Sequence, residues 1–508
     1  MARKGPQTYR LNNLTGGINT VSEANALKSF DYASTGIQAE AADIENFIPL
    51  NRGGQSKTTG FDLYKNTGSA NRITGLYRFI TSGGTSLFLF SQTTKVYKLV
   101  AGTITDIGAT ISSGAYTHFE TAMDKCVICD GSSSPVYYDG ATVSSVGGTP
   151  PSGARMSLWY QNRLWMFSAS SNQSLVYYSD PGDINAGYST NFVNCDVNDG
   201  QKIVSISKYF IPGQIEPVIV VTKERSIGAI IGDGSTGNPY TYVRINQDIG
   251  ASSFRSVVQF GSDVAYLTPR GVTSYRTDNA IVNLIYNYIS EVVRPSFQSL
   301  NSSALNTSMA WYDWKKTRIS FAVPEAGQST PNVIWHFDTR LQCWYKERWY
   351  YGQDCTASFI DTDGTWYHGD SAGKIYSHGT GYNFNGYAIN AFYKTGYLDF
   401  GDPSLYKHIR QARMMLRGNG TYTVGVSSKL NYGITTGTSH TLTTAAGAYA
   451  WGSMTWGSFT WGASPIKFPK FFPGGDFQNI QFTISQTGLN QSLDVFELEF
   501  ITEFTGLF

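Results

Sequence analysis

Charge is what this sequence has least of. Lys, Arg, Asp and Glu make up 15% of its 508 residues, against roughly 25% in ordinary soluble domains. The two signs nearly cancel, to a formal net charge of +1. A chain this neutral has no global field with which to gather nucleic acid or an anionic membrane, so any such contact has to be local. Long apolar runs are missing too. Nothing approaches the roughly 20 residues of a membrane span, which predicts no membrane span. The opening Met1-Ala-Arg-Lys-Gly-Pro-Gln-Thr-Tyr9 has no apolar stretch of the kind that directs secretion, which predicts assembly in the cytoplasm.

Cysteine is scarce and odd in number: five residues, Cys126, Cys129, Cys195, Cys343 and Cys355. An odd, scattered set argues for reduced thiols over a disulfide framework. In the run Lys125-Cys-Val-Ile-Cys129 a strand would point the two thiols to opposite faces, and no second ligand pair stands at zinc spacing. Buried core thiols are the expectation.

Catalytic motifs are absent as well. There is no GxxxxGK[ST] phosphate loop, no HExxH, no GxSxG, and no GxGxxG set between a strand and a helix. The six histidines, His118, His336, His368, His378, His408 and His440, are scattered without a helical i, i+4 partner for a metal. The turn Asp196-Val-Asn-Asp-Gly200 has the flavour of a calcium loop, but Gly200 stands where a third ligand belongs and Ser207 where a bidentate Glu belongs, so an Asx turn is expected. Asp361-Thr-Asp-Gly-Thr-Trp366 is similar to the Asp-box turn of sialidase-like propellers, a structural device that pins a hairpin and buries a Trp. The reading is a non-enzyme with no metal and no cofactor.

What the sequence does hold is glycine, 53 residues, and aromatics, 14%, in short β-branched and aromatic runs punctuated by Gly, Asn, Asp and Ser. That is the composition of strands and turns. A hairpin-like unit recurs: Phe88-Leu-Phe90 with Val96, Cys126-Val-Ile-Cys129 with Val136, Leu164-Trp-Met-Phe167 with Val176, and Val218-Ile-Val-Val221 with Ile227. Val264-Ala-Tyr266 with Val272, Ile319-Ser-Phe321 with Ile334, and Trp366-Tyr367 with Ile375 continue it. Val96, Val136 and Val176 follow at intervals of 40 residues, and a four-stranded propeller blade takes roughly 40 to 50. The fold expected is all-β: a β-propeller of about seven blades over residues 66–390, with stacked sandwiches built from hairpins as the alternative. Longer strands after 390 predict a β-sandwich-like platform domain at 391–508. Residues 1–65 lack the rhythm and read as an N-terminal arm and platform segment holding the one short helix, Gln38-Ala-Glu-Ala-Ala-Asp-Ile-Glu-Asn46.

The stretch Leu14-Thr-Gly-Gly-Ile-Asn19, the expected helix ending at Glu45-Asn46, then Pro49-Leu-Asn-Arg-Gly-Gly54 and Gly60-Phe61 resemble the amino-terminal signature of podovirus tail nozzle proteins. That family includes tail tubular protein B and the packaged-DNA stabilisation proteins of short-tailed bacteriophages. The chain reads Lys57-Thr-Thr-Gly60 where the family commonly has Arg-Pro-Gly. The resemblance implies a structural virion protein without catalytic residues. It implies a homohexameric tail nozzle ring below the portal and adaptor, bearing tail fibres or spikes, closing the DNA exit channel and touching genomic double-stranded DNA only transiently. Gly16, Gly17, Asn46, Arg52 and Gly53 would then belong to an arm facing the adaptor or platform. The alternative is a tail appendage, a receptor-binding or glycan-hydrolysing propeller.

Two further features point to surfaces. In Lys407-His-Ile-Arg-Gln-Ala-Arg-Met-Met-Leu-Arg417 the residues Lys407, Arg413 and Arg417 share strand parity, so a regular strand would turn one basic face to a DNA lumen or a subunit contact. Trp451-Gly452, Trp456-Gly457 and Trp461-Gly462 repeat every five residues, a period that suits neither a helix stripe nor one strand face. They read as a turn-rich aromatic ladder at a subunit interface, or else as core of the sandwich.

Overall fold

The computed structural model describes residues 5–30, 37–51, 53–209, 218–261, 263–277, 284–444 and 466–507. The chain is all-β, with 50% of residues in strands and 4% in helices. Six four-stranded antiparallel meanders follow one another at residues 73–110, 118–145, 154–194, 203–246, 257–288 and 309–348, and they are blades of a β-propeller. The first strand of each blade lies against the first strand of the next, so the first strands surround the axis.

Blade stacking explains why the inner strands read as unbroken apolar runs: both faces are covered, so both parities must be apolar. In Lys125–Cys129, Cys126 and Ile128 pack with Leu89 and Val96 of the first blade, whereas Val127 and Cys129 pack with Leu164 and Met166 of the third. Trp165 and Phe167 then face Ile206 and Val221 of the fourth. The two thiols thus point to opposite faces as expected, and all five cysteines are free and buried. The following sheet, Ala357–Ile360, Trp366–Gly369 and Lys374–His378, takes its next strand from far upstream: Phe61–Asn66 pairs with Lys374–His378, with Phe61 opposite His378. Its first hairpin is the Asp361 turn, where the Asp363 carboxylate accepts from Thr365 N at 2.8 Å and Trp366 is buried against Trp311.

A second unit is made of two facing sheets. One is built on the long antiparallel pair Leu405–Arg417 and Asp494–Leu507. The other contains Ala391–Thr395, Ile480–Gln486 and Thr423–Leu430, and belongs to the same ten-stranded sheet as the sixth blade. Met414, Leu416, Phe471, Phe482, Ile484 and Phe500 fill the space between, with Phe482 stacked on Phe500 at 5.2 Å.

The first 66 residues differ from expectation. Residues 38–46 form no helix: Ala41–Glu45 is a strand, antiparallel to Ala391–Thr395 and parallel to Cys343–Arg348. Nine residues are too few to sustain an isolated helix, and neighbouring sheet edges take backbone groups of the segment instead. The described part of the segment is tied to the two-sheet unit and to the propeller. Gln7–Leu11 and Gln55–Lys57 pair with Asp494–Leu507, and Phe61–Asn66 joins the sheet of Lys374–His378. The segment is distributed among the sheets it links.

Asn46 holds this junction. It is 1% exposed and left-handed, with φ 57°, a conformation costly for any residue with a Cβ except Asn and Asp. Its Nδ2 donates to Asn390 O at 2.7 Å and Arg348 O at 3.2 Å, and its Oδ1 accepts from Arg348 N at 2.9 Å. Asn46→Ala should therefore cost about 2–4 kcal/mol, combining backbone strain with unpaired buried groups. Asn46→Gly, which keeps the backbone conformation, should cost less. Urea unfolding of the two variants beside the parent measures both.

Candidate functional site

Lys407 is not on a basic face. The strand Leu405–Arg417 is irregular against its partner between Ile409 and Gln411, and this extra residue reverses the parity beyond it. Lys407 is wholly buried with Ile409; Ala412, Met414 and Leu416 continue the buried face, and Arg413 and Arg417 take the other. The Lys407 ammonium donates to Leu405 O at 2.7 Å, Gln478 O at 2.8 Å and Asp402 O. Burial pulls its pKa down to about 8. The outer face is charge-balanced: Arg413 pairs with Glu499 at 2.5 Å, Arg417 with Asp494 at 2.6 Å and Arg410 with Glu503 at 2.7 Å. Arg10 from Gln7–Leu11 adds a contact to Glu499 at 3.0 Å.

The signature residues are fasteners. Gly17 has φ 74° and passes so close to the sixth blade that a Cβ would stand 2.7 Å from Trp344 O; Ile18 N then donates to Trp344 O at 2.8 Å. Gly16 N donates to Ala39 O at 3.0 Å, and Leu14 N to Gly53 O at 2.6 Å. Arg52, Trp451, Trp456 and Trp461 lie outside the described residues. The structure does bring two predicted sets together: the turn at Pro49, Leu50 and Asn51 and the residue Arg417 line one open cleft of about 640 Å3, with Asn12, Met415, Phe496 and Glu497. The Arg417 guanidinium lies 5.1 Å from the centre of the Phe496 ring.

A set that sequence reasoning missed converges on the propeller axis. Residues just before or within the first strands of different blades meet there. Arg255, ahead of the fifth blade, donates to Thr307 O at 2.5 Å and Thr356 O at 2.6 Å, and its guanidinium stacks 3.5 Å from the Tyr116 ring centre. Arg72 approaches the same ring at 4.6 Å, and Arg155 packs on Phe254 at 5.0 Å. Arg255 thus spans the axis; burial lowers its pKa to about 10. Along the first strands of the second to fourth blades, Glu120 accepts from Trp159 N at 2.9 Å and lies 3.6 Å from the Lys208 ammonium. Burial raises the Glu120 pKa, against the pull of Lys208. Burial likewise lowers His118 to about 4. Strand spacing alone gives no signal for this set, because its contacting partners come from different blades, from 39 residues apart for Glu120 and Trp159 to 101 for Arg255 and Thr356, and meet only when the ring closes.

Two arrangements have the look of chemistry. Ser320 Oγ lies 2.8 Å from His336 Nδ1, and His336 Nε2 stands 3.6 Å from Glu347 Oε2, beyond hydrogen-bond length. Ser320 and His336 are both 0% exposed, so no substrate reaches the hydroxyl. The Asp196 turn contains a cation of its own: the buried Lys223 ammonium donates to Cys195 O at 2.6 Å, Asp196 O at 3.2 Å and Asp199 Oδ2 at 2.8 Å. Among the described residues no group of three His, Cys, Asp or Glu side chains is disposed to hold a metal. No helix among them is long and apolar enough to cross a membrane.

No family model matches the sequence, and no curated protein matches it. Solved structures resemble it in fold. YCF48 from Cyanidioschyzon merolae matches at 9% identity over 63% of this chain and 98% of that one, with a TM-score of 0.41. BamB from Moraxella catarrhalis matches at 11% over 66% and 93%, with 0.38. A streptogramin B lyase matches at 10% over 63% and 98%, with 0.40.

Two outcomes follow from this geometry. Lys407→Met should destabilise by about 2–4 kcal/mol, since it strands buried carbonyls, while Arg413→Gln and Arg417→Gln should each cost about 1 kcal/mol or less; urea denaturation separates the two classes. Arg255→Met should cost about 2–3 kcal/mol by leaving Thr307 O and Thr356 O without donors, and hydrogen exchange should show the loss at the starts of the strands Met309–Asp313 and Ala357–Ile360.

Proposed function

We propose that this chain is a structural, non-catalytic subunit of a short-tailed bacteriophage tail: the nozzle ring that extends and closes the DNA exit channel below the portal and adaptor. The observation that carries this reading is the position of its signature residues. Gly16, Gly17 and Asn46 lie where the propeller and the two-sheet unit share one continuous ten-stranded sheet. A channel subunit has to transmit load between its parts without hinging, and a shared sheet gives that rigidity. The two-sheet unit is the platform in this proposal, and the cleft beside Arg417 a contact surface for a neighbouring subunit or the adaptor.

The electrostatics support the same reading. A channel that lets DNA slide must not hold phosphates tightly. The face bearing Arg413 and Arg417 carries a carboxylate for each guanidinium, and the chain as a whole is nearly neutral. The propeller axis is no route for DNA, because Arg255 crosses it. Virion tail location, host cytoplasmic assembly and contacts to adaptor and fibres belong to this proposal.

We also infer that the propeller has seven blades. The sheet of Ala357–Ile360, Trp366–Gly369 and Lys374–His378 with Phe61–Asn66 has four antiparallel strands. Its first strand lies against both Met309–Asp313 of the sixth blade and Ile73–Ile80 of the first. Closure by an upstream strand joins the two ends of the ring through hydrogen bonds.

Purified protein at micromolar concentration should give sixfold rings with a central opening in class averages, and a hexamer by native mass spectrometry. Trimers would favour the tail-appendage reading, and a monomer under all assembly conditions would overturn the ring.

A further inference from the structure

Three of the six histidines, His336, His368 and His378, are gathered in one seam. His378 stands opposite Phe61 of the closing strand Phe61–Asn66, and its Nε2 lies 2.7 Å from His368 Nδ1. The His378 ring stacks on Trp366 at 3.4 Å and packs on Trp349 and Phe61. His368 packs on Trp349, Phe61 and Tyr376. His336, on the neighbouring blade, packs on Trp366 and Tyr345 and bonds Ser320. None of the three is more than 8% exposed.

We propose that this cluster is an acid-operated latch: protonation of the histidines opens the propeller where the closing strand Phe61–Asn66 and the sheet of residues 357–378 meet the blade at 309–348. The inference stands apart from the nozzle reading and needs only the ring closure described above. The 2.7 Å contact between His368 and His378 requires one nitrogen to accept, so the pair tolerates at most one added proton without losing its bond. Among the described residues no carboxylate is bonded to either ring. The charged groups around the seam are Lys316 and Arg318 from the turn and strand behind it, Asp313 on Met309–Asp313, and Glu347 on Cys343–Arg348. Asp370 beyond them is engaged by Tyr376 OH at 3.1 Å. Glu347 faces His336 alone, and already accepts from Trp349 Nε1 at 2.7 Å and Thr58 Oγ1 at 3.2 Å. The two basic side chains repel a charged His378 and His336. Ring-face attraction from Trp366 offsets only part of the desolvation.

The direction of the pH effect follows. Burial holds His336 at about 4 and pushes His368 and His378 well below the ordinary imidazole range. An opened seam returns them to about 6.5. A depressed histidine pKa means that opening takes up protons, so the latch is fully closed above about pH 6.5 and loosens as pH falls towards the folded value. Each histidine released multiplies the opening equilibrium roughly tenfold per pH unit across that window.

Hydrogen exchange on the full chain at about pH 7 and about pH 4.5, corrected for intrinsic rates, tests this. Amides of Phe61–Asn66 and Lys374–His378 should lose protection at the lower pH while Leu405–Arg417 and Asp494–Leu507 keep theirs. The double variant His368→Phe/His378→Phe removes both rings' protons and their mutual bond together, and should suppress that loss at least roughly a hundredfold. Should it fail to fold, the parent protein's exchange pattern decides alone. His118→Asn, at the axis, should leave the seam's pH response unchanged. Retained protection of the closing strand at low pH, simultaneous loss in all strands, or an unaltered pH response in a folded double variant would each overturn the latch.

Discussion

Everything in this molecule hangs on one strand of five residues. Ala41–Glu45 completes a sheet that would otherwise end at the sixth blade on one side and at Ala391–Thr395 on the other. It turns two edges, each exposing unpaired backbone groups, into one ten-stranded sheet. Its last side chain, Glu45, is buried and touches Tyr350 OH and the Arg348 guanidinium at 3.5 Å, while Asn46 immediately beyond bonds both neighbours. The propeller and the two-sheet unit cannot move independently without breaking this strand, and that rigidity is what the proposed place in an assembly would use.

The propeller was legible because its strands obey a strong local rule. Stacked blades bury both faces of their middle strands, so Leu164-Trp-Met-Phe167 and Val218-Ile-Val-Val221 had to be apolar throughout, and the return of such runs after 40 residues marks the repeat. The 38–46 segment was misread for the opposite reason. Ala, Glu and Gln carry helix propensity, but at well under a kcal/mol per residue, and Ala391–Thr395 along one edge, with Gly17, Asn19 and Lys346 on the other, take backbone groups of this segment. The partners that decide the outcome lie far downstream, at Lys346 opposite Glu45 and Tyr393 opposite Ile44, where no local pattern announces them.

The candidate sites show the same division. Parity reasoning placed Arg413 and Arg417 on one face correctly and failed for Lys407, because a bulge between them is invisible in composition. It also could not see that Glu499 and Asp494 lie opposite the arginines and cancel them. Gly16, Gly17 and Asn46 were picked out as part of an arm facing the adaptor or platform, and within this chain they bond to neighbouring strands and turns. Residues that must fit a crowded junction leave as sharp a mark on a sequence as residues that must fit a partner. Arg255, Tyr116 and Arg72 left no mark, since their meeting at the axis is a property of ring closure.

Scarcity of charge has a structural counterpart in how the buried cations are held. Lys407 is bonded by three backbone carbonyls, Lys223 by two carbonyls and Asp199, Arg255 by two carbonyls and Lys57 by Gly488 O at 3.2 Å. A carbonyl ring is a weaker counter-ion than a carboxylate, so desolvation shows: Lys57, Lys407 and Arg255 all have lowered pKa values with burial as the leading cause. The compensation is geometric. One ammonium draws together chain segments far apart in sequence, as Lys407 does for the turn at Asp402 and the segment at Gln478, and Lys57 for the Gly488 turn. Acidic partners at these points would add charges that themselves need company, whereas loop carbonyls would otherwise need donors in any case. An all-β chain has many such carbonyls in its turns. Fastening turns with long basic side chains therefore lets a protein of 15% charged residues hold its loops still with backbone carbonyls, beside interior ion pairs such as Arg318 with Asp313 at 3.4 Å.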